Sequence, residues 1–116
     1  MSRVAADEPL SNVAVEILLT LSSGPQHGYA VKLDIEDRTG GEVVPGSGSL
    51  YQAIGRLERR GLIAEDPEAP EAEDARRGRV YRIEPAGRAA LRSELERMER
   101  VMRYARRHAM LKESAG

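Results

Sequence analysis

Six apolar residues near the C-terminal end, Leu91, Leu95, Met98, Met102, Ala105 and Ala109, follow one another at spacings of four, three, four, three and four. That alternation puts them on one line along an α-helix, the a/d seam through which helices pair. Glu94, Glu96, Arg97, Glu99, Arg100, Arg103, Arg106 and Arg107 fill most of the remaining surface, so the helix carries one apolar stripe and is otherwise solvated. The stripe could pack on the chain's own core, but a helix this long overhangs so small a domain. A homodimer joined through those six residues is therefore expected.

At 116 residues the chain has room for one core and no second. Its 41% hydrophobic and 32% charged content makes that core small for its length, a second reason to expect a partner copy. The absence of cysteine excludes disulfides, zinc-thiolate centres and thiol nucleophiles. Met1 to Asn12 lacks the basic start and apolar stretch of a secretory signal, and no apolar run is long enough to cross a bilayer. A soluble, cytoplasmic protein with no membrane partner is expected.

The formal net charge of -1 hides a segregation. Glu65, Asp66, Glu68, Glu71, Glu73 and Asp74 are followed at once by Arg76, Arg77, Arg79 and Arg82, and for nucleic acid the placement of charge matters more than its sum.

Ser11 and Asn12 are helix-capping residues ahead of Ala14, Ile17, Leu18 and Leu21, spaced as on one helical face; a first helix is expected from about Val13 to Leu21. Ser22-Ser23-Gly24-Pro25 ends it. A second helix is expected from about Gln26 to Arg38, with Tyr29, Ala30 and Leu33 on one face and Thr39-Gly40-Gly41 as its stop. Pro45-Gly46-Ser47-Gly48 forms a further turn, and Ser47 can cap a third helix reaching about Arg60. In it Leu50, Ala53, Ile54 and Leu57 make the buried stripe. Ser49, Gln52, Arg56 and Arg59 recur on another face as hydrogen-bond donors, and one donor-bearing face of one helix is what a major groove admits. After Gly61, Leu62 to Glu65 and Arg79 to Ile83 read as two strands of a hairpin, joined by a Pro-, Glu- and Ala-rich loop from Asp66 to Ala75. Pro85 suits the first position of the final helix.

The chain resembles the PadR family of transcriptional regulators, specifically its short members with one C-terminal helix. The resemblance rests on Leu21-Ser22-Ser23-Gly24-Pro25-Gln26-His27-Gly28-Tyr29, on Pro45-Gly46-Ser47-Gly48-Ser49-Leu50-Tyr51, on Arg56-Leu57-Glu58-Arg59-Arg60-Gly61-Leu62-Ile63, and on Gly78-Arg79-Val80-Tyr81-Arg82-Ile83 with Ala86-Gly87-Arg88. It implies a mainly α fold with a small β-hairpin: a winged helix-turn-helix DNA-binding domain over residues 1–84 and a dimerisation helix over 85–116. It further implies that the third helix enters the major groove, that Ser49 and Tyr51 approach phosphates, and that the wing touches the backbone. Glu84 stands where the family commonly has threonine, a poorer cap with a favourable charge at a helix start. Because an acidic wing tip is repelled by phosphate, only its base, around Arg76, Arg77 and Arg79, is expected at DNA. Relatives that stack flat aromatic drugs use tryptophan, and this chain has neither Trp nor Phe.

The expected function is a DNA-binding transcriptional regulator, a repressor on an inverted-repeat operator, acting as a homodimer with double-stranded DNA as partner. Whether a small-molecule effector releases it is left open. The DNA-facing residues are expected to be Ser47, Ser49, Tyr51, Gln52, Arg56, Arg59, Arg76, Arg77 and Arg79. The alternative is a winged-helix protein-interaction module without DNA binding. No catalytic residue, metal or cofactor is expected: His27 and His108 are the sole histidines, no motif sets a nucleophile beside a base, and Gly46-Ser47-Gly48 lacks the lysine of a phosphate-binding loop.

Overall fold

A computed structural model describes residues 8–44, 46–66 and 79–108. The elements run α1 (Asn12–Leu21), β1 (Gln26–His27), α2 (Gly28–Arg38), α3 (Ser47–Arg59), β2 (Ile63–Glu65), β3 (Val80–Ile83) and α4 (Pro85–Arg107). The fold is the mainly helical, winged arrangement read from the sequence, with one addition. The sheet has three strands in the order β1-β3-β2, all antiparallel. Gln26 faces Tyr81 and His27 faces Val80 on one side of β3, while Ile63, Ala64 and Glu65 face Ile83, Arg82 and Tyr81 on the other. Two residues expected to begin the second helix thus form an edge strand instead.

α1 is the central element. Ser11 caps it, its hydroxyl accepting from the Ala14 N–H at 3.1 Å, and Ala14, Val15, Ile17, Leu18, Thr20 and Leu21 are all buried. α2 departs from the expected orientation. Gly28, Val31 and Ile35 face the core, whereas Tyr29 and Leu33 are exposed. Apolar residues stand on both sides of this helix, and a polar clamp selects the buried side. The buried Thr20 hydroxyl donates to Asp34 Oδ2 at 2.7 Å and accepts from Arg38 at 2.7 Å, and Arg38 also pairs with Glu16. Charge-assisted bonds of this kind hold α2 on α1 in one rotation.

α3 buries Leu50, Ala53, Ile54 and Leu57, as its spacing foretold. Its N-cap is Gly46, with Ser47 already the first helical residue and no side-chain cap bond; the expected Ser47 cap is off by one position. At the other end Gly61, at φ 75°, closes a Schellman motif: its N–H donates to Glu58 O at 3.0 Å and the Leu62 N–H to Leu57 O at 2.9 Å. The Leu62 carbonyl then accepts from the Glu84 N–H at 2.9 Å. One residue thereby ties the end of α3 to the start of α4.

On α4, Glu94 is buried, not solvated as its place in a charged helix suggested. Its carboxylate accepts from the Leu10 N–H at 3.2 Å and from Arg97 Nε at 2.6 Å, pinning the segment before α1 to α4. The Arg97 guanidinium and, next, the Leu10 N–H hold the Glu94 carboxyl below the usual carboxylate range, against the opposing effect of burial. A lowered pKa means that ionised Glu94 stabilises the fold above the unfolded-state value of about 4.3, and that this contribution fades as pH falls through the lower folded value. Glu94→Gln should therefore unfold more easily than wild type at pH 7, with the gap narrowing below about pH 4. Urea titrations at both pH values test it; a gap that widens on acidification contradicts the assignment.

Candidate nucleic-acid interface

The four donors read from the third helix all lie on the solvent side of α3. Ser49, Gln52, Arg56 and Arg59 are exposed, opposite a stripe that is at most 3% exposed. The partition follows from the sequence: apolar residues at offsets of three and four collect on one side of a helix and leave the rest outward. No acidic residue stands among these four, and Glu58, the one acid in α3, is half-buried. Arg60 turns away, donating to the Glu8 carbonyl at 3.0 Å.

Tyr51 is half-exposed and packs against α2. A Cβ placed on Gly28 would lie 2.9 Å from the Tyr51 hydroxyl oxygen, so a side chain there would push the phenol from its place. The Gly28 N–H in turn donates to Arg79 O at 3.2 Å. Three separate pieces therefore meet at Gly28: the first turn of α2, the outward ring of Tyr51, and the base of the wing. The sequence marks Gly28 only as part of a matching stretch; the contact depends on how α2 meets α3, which no local pattern carries.

At the wing, the Arg79 guanidinium is 68% exposed and 3.9 Å from Glu65, an exposed pair of the kind worth about 0–1 kcal/mol and easily exchanged for phosphate. Arg82 is committed to Glu84 at 3.0 Å and Asp66 at 3.9 Å. Arg76, Arg77 and the acidic loop beyond Asp66 lie outside the described residues, as do Ala109 and the Ser47 side chain.

The expected dimer residues divide into two groups. Leu91 is 6% exposed and belongs to the chain's own core, with Met98 packed against it; these two serve the fold, which the seam spacing alone could not reveal. Leu95 and Met102 stay 39% and 41% exposed, Val101 and Tyr104 more so, and Ala105 is half-buried. Tyr104 stacks on His108 with centroids 4.0 Å apart. Among the described residues no helix is long and apolar enough to cross a membrane, and no three His, Asp or Glu gather as metal ligands.

Comparison with known proteins agrees with this architecture. The chain is 35% identical over 91 residues to the transcriptional regulator Rv3488 of Mycobacterium tuberculosis, covering 78% of this chain and 79% of that one. It is 38% identical over 85 residues to an uncharacterized 37.1 kDa protein in transposon TN4556 of Streptomyces fradiae; the match takes in 73% of this chain but 22% of that protein's length. The structure of a transcriptional regulator from Clostridium thermocellum superposes with a TM-score of 0.70 at 27% identity, over 84% of this chain and 89% of that one. The profile of the transcriptional regulator PadR-like family matches residues 17–93, from within α1 to within α4. This chain belongs to the PadR-like family of transcriptional regulators.

Proposed function

We propose that the chain is a repressor that binds an inverted-repeat operator as a homodimer, with α3 in the major groove of each half-site. The observation that carries the reading is the outward face of α3, where Ser49, Gln52, Arg56 and Arg59 are exposed together without an acid among them. Arginine suits guanine O6 and N7, glutamine suits adenine N6 and N7, and serine serves either base or phosphate. Tyr51 and the wing base, through Arg76, Arg77 and Arg79, would hold the phosphate backbone and fix register without reading sequence. α4 would join two copies, so that half-sites fall about one or two helical turns apart, near 34 Å or a multiple.

The test begins with duplex selected by the wild-type chain from a random-sequence pool. Gln52→Ala and Arg56→Ala should each weaken binding of that duplex by about 1 to 3 kcal/mol at fixed salt. Their thermal unfolding should match wild type, because neither side chain is in the core. Should both variants bind as wild type does, α3 is not the reading element.

A further inference from the structure

Gly55 lies inside the 13-residue α3, and nothing in the fold requires a glycine there. The described glycines with positive φ are Gly24, Gly40, Gly41 and Gly61, so the backbone of Gly55 suits any residue. A Cβ built on it meets one atom within 4 Å, Arg59 Nη1 at 3.4 Å, the far end of a flexible, exposed side chain. Glycine inside a helix is nonetheless less stable than alanine, because the unfolded chain loses more freedom on folding. Gly48, seven residues earlier, is equally unconstrained, with nothing within 4 Å of its would-be Cβ.

Both positions share a line along the helix. At 3.6 residues per turn, Gly48 and Gly55 point roughly 150° to 170° away from the middle of the Leu50, Ala53, Ile54 and Leu57 stripe. That is the outermost line of α3, with Gln52 and Arg59 beside it. Two glycines therefore stand where the helix projects furthest, and the Arg59 guanidinium rests over the notch at Gly55 in the free chain.

We propose that Gly55 is a specificity-determining position of the reading helix: its missing side chain lets the floor of the major groove approach the helix backbone between Gln52 and Arg59, and so sets how deeply both side chains reach. The inference rests on the reading of α3 as the DNA-facing helix. A helix with its side chains is about 10–12 Å across and the groove about 12 Å wide, so one methyl group on the leading edge changes the depth of insertion. Binding then keeps a residue that stability would replace.

Gly55→Ala separates the two roles. Its Tm should rise by roughly 3 to 6 °C, while its affinity for the duplex selected by the wild-type chain falls about tenfold or more. Affinity for a mixed-sequence duplex of the same length should change far less, since phosphate contacts dominate there. If Gly55→Ala binds the selected duplex as wild type does while Arg56→Ala has lost it, the inference about Gly55 fails and the reading of α3 stands. If neither variant loses affinity, or the wild-type chain selects no duplex, that reading fails and takes the inference with it. A lowered Tm for Gly55→Ala would show that the glycine serves the fold, and would also overturn the proposal.

Discussion

Gly87→Ala should unfold at a temperature roughly 10 to 20 °C below wild type, a loss of about 3 kcal/mol. The reason is a backbone contact that nothing can relieve cheaply. A Cβ on Gly87 would sit 2.1 Å from the Leu62 carbonyl oxygen and 2.9 Å from Ile83 Cγ1, whereas carbon and oxygen normally come no closer than about 3.3 Å. The start of α4 would have to retreat by about 1 Å. The Leu62 carbonyl cannot yield in its place, for it accepts from the Glu84 N–H while the Leu62 N–H closes the Schellman motif of α3. The same substitution inside an exposed helix normally stabilises, so the sign discriminates. Differential scanning calorimetry gives the answer, and a Tm at or above wild type would mean that α4 is not seated on Leu62. Because this junction joins the end of α3 to the start of α4, folded Gly87→Ala protein should, in the proposed dimer, prefer altered half-site spacing.

Elements whose signal is local were legible from residues alone. α3 is an example, since its apolar stripe, its outward donors and its closing Gly61 all lie within one 15-residue stretch. The long α4 likewise announces itself through Pro85 and a sustained four-three spacing. What escaped was non-local. β1 has two residues, too few to show a period, and exists because β3, more than 50 positions later, offers it an edge. Tyr29 and Leu33 looked as apolar as Val31 and Ile35, and the choice between them was made by Thr20 and Glu16 gripping Asp34 and Arg38 across two helices. Glu94 reads as one more surface charge until the Leu10 N–H is found against it. On the outward face of α3, the sequence placed Ser49, Gln52, Arg56 and Arg59 together but could not show that Tyr51 leans on Gly28, because that contact joins two helices.

The division within α4 decides how the proposed dimer is best broken. Leu91 and Met98 pack on the chain's own core, so changing them would unfold the domain and answer nothing about association. Leu95 and Met102 share their line but remain about two-fifths exposed. Full burial of a large apolar side chain is worth roughly 1.5 to 3 kcal/mol, so covering what is left of these two in both copies gives roughly 2 to 5 kcal/mol. Association costs an estimated 4 to 15 kcal/mol, so the flanking Val101 and Tyr104, more exposed still, must share the burial. A margin this thin is easily reversed. Leu95→Asp with Met102→Asp would set four carboxylates along the proposed seam, each losing hydration on burial and repelling its like across the axis. The double variant is expected to sediment as a monomer that still unfolds cooperatively, at a Tm lowered by the apolar burial lost at both positions. On a selected two-half-site duplex its affinity should fall at least 100-fold, since the second half-site no longer adds to the first. Affinity for a single half-site should stay at the wild-type value, because α3 is untouched. A double variant that still sediments as a dimer places the interface elsewhere on the chain. A verified monomer that holds the full operator as tightly as wild type would show that one copy of α3 and its wing suffices for recognition.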